Sequence, residues 1–206
     1  MKRKSLIVLM LSAFICLAPT HPAYERVRHV VDGDTVLLKT GKEVRYVGID
    51  APEFAHDGES NEFMALESKR FNRDLVNNAR IRLEFDREKQ DRYGRLLAYV
   101  FLENGEMVNE LIVRKGLARV LVVEPNLKHF HLLLQAQRKA MTEHIGIWSK
   151  RPARPEPYYV GDSKSHRFHR PGCPFGKRIA PLNRLRFSSS DQAYWEGFSP
   201  CRKCKP

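Results

Sequence analysis

The chain has 206 residues, enough for one sizeable domain and a small appendage, and its 36 Lys and Arg against 24 acidic residues give a formal charge of +12. That balance favours a polyanionic partner, because a cationic field attracts phosphate backbones, though charge also keeps a protein soluble. Of the four cysteines one lies in a segment that reads as cleavable, which excludes a fully paired disulfide framework in what remains.

Lys2, Arg3 and Lys4 precede an apolar run over 6–18, followed by Pro19-Thr20-His21-Pro22-Ala23. This is the pattern of a signal peptide over 1–23, cleaved after Ala18 or Ala23, and the run falls short of the roughly 20 apolar residues of a spanning helix. Export to a periplasm or the medium is expected, with no stable membrane association after cleavage. Cleavage removes three cations and no acid, taking +12 to +9, and carries off Cys16, leaving Cys173, Cys201 and Cys204.

Alternating residues over 25–31 predict a first strand, with others over 36–39 and 43–49 around the turn Thr40-Gly41-Lys42. Ala51-Pro52 ends pairing, a loop His56-Asp57-Gly58-Glu59 follows, and Ser60 reads as the cap of a helix over 61–77 that buries Met64, Phe71 and Leu75. Strands over 80–85 and 96–101, a helix over 107–115 ended by Gly116, and an extended piece over 119–123 come next. Pro125-Asn126 introduces a helix to about residue 144 with Leu127, Phe130, Leu134 and Met141 on its apolar face. His129, His131 and His144 read as exposed polar positions of that helix, and Trp148 as a plug at the bottom or edge of the domain. The fold class is α+β: five short strands and about three helices suggest a five-stranded OB-type barrel over 24–150.

Two stretches carry the chemistry. Asp32-Gly33-Asp34-Thr35 opens one strand and Asp50 closes the next, so a hairpin would bring Asp34 and Asp50 to one end. Converging carboxylates repel unless a cation joins them, and oxygen ligation suits calcium or magnesium; ordinary turn chemistry is the competing reading. Arg92, Tyr93 and Arg95 around Gly94 offer phosphate donors beside an aromatic platform, in a charge run that also reads as a solvated loop.

Four segments, Val31-Asp32-Gly33-Asp34-Thr35, Val44-Arg45-Tyr46-Val47-Gly48-Ile49-Asp50-Ala51-Pro52-Glu53, Asp91-Arg92-Tyr93-Gly94-Arg95-Leu96-Leu97-Ala98-Tyr99-Val100 and Val108-Asn109-Glu110-Leu111-Ile112-Val113-Arg114-Lys115-Gly116-Leu117-Ala118, together resemble the staphylococcal nuclease family, in order and over about 24–150. The resemblance implies a calcium-dependent endonuclease that hydrolyses DNA and RNA to 3′-phosphorylated products. It implies calcium ligation by Asp34, Asp50 and the backbone carbonyl of Ala51, where the family usually has threonine. It makes Glu53 the general base, Arg45 and Arg95 the phosphate clamps, Asp32 a support near the metal, and Arg92 and Tyr93 a grip on a neighbouring phosphate. Family tyrosines in the segment after the second helix are replaced here by Val120-Leu121-Val122-Val123-Glu124, which bears on substrate affinity. A monomer is expected. The alternative is an OB-type module that binds nucleic acid without cutting it.

A proline-spaced basic linker over 151–157 precedes a unit over 158–206, too short for an independent core without a staple. His169 with Cys173, and Cys201 with Cys204, have the spacing of a structural zinc site; a disulfide between Cys201 and Cys204 or over a longer range is the rival, and His166 a substitute for His169. With Phe187, Ser188-Ser189-Ser190, Ala193, Gly197-Phe198 and Pro200-Cys201, this unit resembles the small zinc modules related to that of the Ada DNA-repair protein. Arg178, Arg184, Arg186, Lys203 and Lys205 form either an extra nucleic-acid grip or a solvated basic surface.

Overall fold

The structure, a computed structural model, describes residues 23–55, 60–150 and 155–206. The expected signal peptide, the loop 56–59 and most of the linker lie outside the described residues. Strands β1 (Tyr24–Val30), β2 (Thr35–Leu38), β3 (Glu43–Tyr46), β5 (Arg80–Glu84) and β6 (Leu96–Phe101) close a barrel in the order β1-β2-β3-β6-β5, with β3 and β6 parallel and the other pairs antiparallel. Closure leaves no sheet edge and buries Val36, Val44, Ile81, Ala98 and Val100 completely. The expected OB-type barrel is thus present.

The third predicted strand is two pieces. At Val47-Gly48 the chain turns out of the barrel, Gly48 taking φ 80°, and β4 (Ile49–Asp50) pairs instead with β7 (Arg119–Val120). A side chain at Gly48 would meet Leu133 Cδ1 at 2.6 Å, so only glycine allows the turn and the close helix. The periodicity of Val44 to Ile49 hides this break.

Three helices cover the barrel: α1 (Ala65–Val76), α2 (Val108–Arg114) and α3 (Phe130–Thr142). Helix α2 and Gly116, at φ 71°, follow the sequence pattern. Helix α1 begins later than expected, after Met64 in a left-handed conformation, and Ser60 does not cap it. Phe71 and Leu75 do pack on the core, but its fully buried residues are Ala65, Ser68, Asn72 and Val76. Helix α3 also starts late, because the buried Asn126 is spent on the backbone of Glu88, accepting from its N–H and donating to its carbonyl, both at 2.9 Å. Its buried face is Leu133, Leu134, Ala136, Gln137 and Ala140, and Leu127 is exposed. His131 and His144 are exposed as expected. His129 is not: its Nε2 lies 2.7 Å from Glu84 Oε1 and its ring stands edge-on to Tyr99. Burial pushes the Glu84 carboxyl up, but hydrogen bonds from His129 and Lys128 outweigh it and hold the group below its usual range.

The C-terminal region forms a second sheet, β10-β8-β9-β11, from β8 (Tyr159–Asp162), β9 (Arg167–His169), β10 (Arg184–Phe187) and β11 (Ser199–Pro200), with short helices α4 (Pro174–Lys177) and α5 (Ser190–Trp195). Ser189 caps α5, accepting from the Gln192 N–H at 3.0 Å. Its own core is small: Tyr159, Phe168, Phe187, Ala193 and Phe198. The region is seated on α3 and β7. Gln137 Nε2 donates to the Tyr194 carbonyl at 2.6 Å, Arg138 Nε to that of Trp195 at 2.9 Å, and Ser199 Oγ to that of Val120 at 3.3 Å. Trp148, expected as a plug at the edge of the barrel domain, meets Tyr194 edge-on at 5.0 Å and so belongs to this seam.

Asn109 ties the broken strand to the barrel: its side chain accepts from the Val100 N–H at 2.9 Å and donates to the Val47 carbonyl at 2.8 Å, fully buried. Asn109→Ala leaves both backbone groups unpaired in the core and is expected to cost about 2 to 4 kcal/mol. Urea unfolding measures this, and a loss under about 0.5 kcal/mol, the scale of an ordinary surface substitution, would refute the role.

Candidate active site

Asp32 and Asp34 sit on the turn between β1 and β2. The Asp32 carboxylate accepts from the Asp34 N–H at 2.9 Å, and the Val31 N–H donates to the Thr35 carbonyl at 2.9 Å, so the turn is fixed from within. Gly33 lets it lie against α1, since a Cβ there would fall 1.9 Å from Ser68 Oγ. Asn72 donates to the Asp32 carbonyl at 2.9 Å and accepts from the buried Tyr46 hydroxyl at 3.0 Å. The acidic turn is therefore locked to both helix and barrel.

Antiparallel pairing sets Thr35 across from Arg45. Arg45 then reaches Asp34 Oδ1 through Nη1 at 3.0 Å and Asp50 Oδ1 through Nη2 at 3.4 Å, its Nη1 also donating to the Tyr46 carbonyl at 3.0 Å. Asp34 Oδ2 accepts from the Ala51 N–H at 2.6 Å, and Oδ1 from Thr35 Oγ1 at 3.1 Å. Asp34 is 4 % exposed. Burial pushes its carboxyl up to about 8, Arg45 and the Ala51 amide opposing this while Asp32 and Asp50 add to it. Glu53, on the exposed loop just beyond, is also raised, first by burial and then by Asp32 and Asp50, against Arg45 and Arg202.

Asp34, Arg45, Asp50 and Ala51 are thus in direct contact, with Asp32 holding the turn and Glu53 within their field. The two aspartates do not lie at one end of a single hairpin, because β4 has left the barrel; they meet through Arg45. Asp34 and Glu53, which burial and neighbouring acids make hard to ionise, offer with Asp50 oxygen donors only, a set that suits a hard divalent cation. Arg95 stands apart: its Nε donates to Asp91 Oδ2 at 2.7 Å and its Nη1 lies 3.9 Å from Glu43 Oε1. Burial raises the Asp91 carboxyl, but Arg95 and the amides of Arg95 and Tyr93 more than offset it and hold the group low. Tyr93 is 69 % exposed and carries the Arg92 guanidinium over its ring at 4.7 Å.

Beside Asp50 opens a cleft of roughly 550 Å³, with Glu53 and Phe54 on one wall and Tyr194, Arg202 and Lys205 on the other. Arg202 Nη2 lies 3.3 Å from Asp50 Oδ1. Sequence reasoning missed Arg202 altogether, although its place between Cys201 and Cys204 was a usable signal. Of the basic residues it did name, Lys205 lines this cleft, Arg184 donates to the carbonyls of Lys177 and Ile179, and Arg178 and Arg186 lie over the rings of Phe175 and Tyr158.

In the C-terminal region the donor atoms of His169, Cys173, Cys201 and Cys204 lie within 4.8 Å of one another. Among the described residues this is the one convergent group of three or more His, Cys, Asp or Glu. Zinc with Zn–S of about 2.3 Å needs tetrahedral donors roughly 3.8 Å apart; Cys173 Sγ and His169 Nδ1 are 3.5 Å apart, and no pair exceeds 4.8 Å. Burial raises the Cys173 thiol, yet the Gly176 and Phe175 amides and the other two thiols bring it below its usual value; Cys204 is pushed up to about 12, by burial first. His166 is not a substitute ligand: it packs on Phe198 at 5.2 Å, outside the group.

The family model described as "Staphylococcal nuclease homologue" matches residues 43–150. The thermonuclease of Staphylococcus intermedius is 39% identical over 127 residues, covering 60% of this chain and 75% of that protein. Endonuclease YncB of Bacillus subtilis is 38% identical over 125 residues, covering 58% of this chain and 59% of the relative. Endonuclease YhcR of the same organism is 31% identical over 198 residues, covering 84% of this chain but 16% of its own length. With the barrel, the Asp34–Arg45–Asp50 contact and these matches in hand, the chain belongs to the staphylococcal nuclease family, a family of nuclease hydrolases.

Proposed function

We propose that the chain is an exported, calcium-dependent endonuclease that cuts DNA and RNA to 3′-phosphorylated products. The observation that carries this is Arg45, its side chain only 13 % exposed, bridging Asp34 and Asp50 beside an open cleft. Asp34, Asp50 and the Ala51 carbonyl would hold calcium. Calcium, when bound, supplies polarisation of the phosphoryl oxygen and acidification of a water.

The chain's own groups do the rest. Arg45, already desolvated and pointed by its backbone contact, binds an equatorial phosphate oxygen and stabilises the added charge of the five-coordinate phosphorus. Glu53 takes the proton of the attacking water, its raised carboxyl making it a stronger base than an exposed glutamate; as the water oxygen bonds to phosphorus the bond to the 5′ oxygen breaks, and that oxygen leaves with a proton taken from solvent. Arg95 completes the clamp by exchanging Asp91 for the phosphate, and Arg92 with Tyr93 holds the neighbouring phosphate. Asp32 acts by fixing Asp34. Export rests on the basic and apolar segment ahead of Tyr24, and among the described residues no helix is long and apolar enough to cross a membrane. In the C-terminal region zinc held by His169, Cys173, Cys201 and Cys204 would staple a unit whose own core is small.

Plasmid DNA and single-stranded RNA incubated with the mature protein should be cut with calcium and spared with chelator; binding without cutting under any divalent ion would instead establish the non-catalytic module. Arg45→Ala and Glu53→Gln should each lower kcat by at least roughly 10²-fold, and a Glu53→Gln enzyme at full rate would remove that residue from the chemistry.

Because the folded Asp34 carboxyl binds its proton more tightly than the unfolded one, its contribution to stability in calcium-free protein is lost as pH rises from about 4 towards 8. Between about pH 5 and pH 8 the stability gap between wild type and Asp34→Asn should therefore move against wild type by at least about 1 kcal/mol, and calcium should restore it. A gap indifferent to both pH and calcium would be incompatible with this account. For the C-terminal region, protein purified anaerobically without added reductant should carry one zinc per chain and expose three thiols after its removal. One thiol and no zinc would identify a disulfide.

A further inference from the structure

We propose that Arg202 is a substrate-binding residue of the nuclease site, holding a backbone phosphate of the strand next to the one being cut, with Lys205 beside it. This rests on the reading of the site as a nuclease centre. Arg202 lies 152 residues along the chain from Asp50, yet its Nη2 is 3.3 Å from the Asp50 carboxylate. The cleft it overlooks, roughly 550 Å³, is of the size that takes a single nucleotide. One wall belongs to the catalytic loop, through Asp50, Glu53 and Phe54, and the other to the C-terminal region, through Tyr194, Arg202 and Lys205, with Arg119 between them.

The backbone of Arg202 is held while its side chain is free to change partner. On either side, Cys201 and Cys204 belong to the convergent donor group. The Cys201 N–H donates to the Phe168 carbonyl and the Lys205 N–H to the Cys201 carbonyl, each at 2.9 Å. The side chain itself is 72 % exposed and its pair with Asp50 is a single contact at 3.3 Å, a geometry that holds it only weakly. A phosphate that accepts two parallel hydrogen bonds from the guanidinium outcompetes such a partner. A divalent cation held by Asp50 would release Arg202 from that carboxylate, so that Arg119, Arg202 and Lys205 would face the cleft against the two remaining acidic side chains, Glu53 and Glu62, leaving cations for a flanking phosphate. The seam at Gln137, Arg138 and Ser199 keeps this wall in register with the site. The C-terminal region is thus part of the substrate cleft and not an independent appendage.

The test compares Arg202→Ala with Lys164→Ala, which removes an exposed cation of the same region on the β8–β9 turn, away from the cleft. In a Glu53→Gln background, so that the strand stays whole, binding of a single-stranded oligodeoxynucleotide with calcium is titrated against salt. Arg202→Ala should reduce the slope of log K against log salt by about 0.7, the value of one lost phosphate contact on single strands. In the wild-type background it should raise KM about tenfold, the effect of roughly 1.4 kcal/mol, while leaving kcat within about twofold. Arg202→Lys should recover part of the loss, and Lys164→Ala should change neither quantity. A salt slope and KM matching those of Lys164→Ala overturn the proposal while the nuclease reading stands. A rise in turnover also overturns it, making Arg202 a plug on Asp50. Wild type that neither cuts nor binds the strand removes the nuclease reading and this proposal together.

Discussion

The site depends on one largely enclosed cation held between two acids. Arg45 is taken out of water with Asp34 and Asp50 around it, and such a group is tolerable only when every charge has a partner and every remaining donor an acceptor. The Tyr46 carbonyl accepts from Arg45, and the Ala51 amide and Thr35 Oγ1 donate to Asp34. Each is positioned by the barrel: pairing of β2 with β3 puts Thr35 across from Arg45, and the break at Gly48 swings Asp50 and Ala51 back over the same guanidinium. Asp34 stays difficult to ionise even so. Burial is the first cause, and Asp32 and Asp50 add to it against Arg45 and the Ala51 amide.

Val120 is where the parts of the molecule meet. As a residue of β7 it pairs with Ile49, next to Asp50; its N–H donates to Gln137 on α3 at 2.7 Å, and its carbonyl accepts from Ser199 of the C-terminal region. One buried strand residue thus connects the catalytic loop, a covering helix and the second sheet. Because these are directional hydrogen bonds away from water, they set the relative placement of the two regions more sharply than apolar contact would. That placement puts Arg202 against Asp50.

Much of the barrel was legible in the chain, for a local reason. Alternation around Val27, Val44 and Ile81 marks strands because successive side chains face opposite sides, short apolar runs mark those at Val36 and Val100, and Gly116 marks a helix end because it alone accepts the left-handed conformation cheaply. The errors share the opposite cause. Ser60 has capping chemistry, but α1 begins only after Met64, and the Glu62 N–H donates to the Glu53 carbonyl at 3.0 Å. Ser68 and Asn72 look like exposed helix positions and are buried, since their partners, the carbonyls of Leu117 and Asp32, come from distant parts of the chain. His129 likewise reads as solvated until Glu84, 45 residues away, is brought beside it.

The residue types of the site followed from the sequence alone: acids at Asp32, Asp34, Asp50 and Glu53, guanidinium groups at Arg45 and Arg95, and a His and three Cys spaced for a tetrahedral metal. Motif and spacing are properties of neighbours in the chain, and they specify what chemistry is available. Which partner each group takes was decided only by the tertiary structure. Arg95 rests on Asp91, four residues away, while Arg45 joins Asp34 to Asp50 and Arg202 arrives from 152 residues beyond Asp50. Such pairings depend on barrel closure, on the departure of β4 at Gly48 and on the seating of the second sheet, none of which leaves a periodic trace, because each is set by packing between segments remote in sequence.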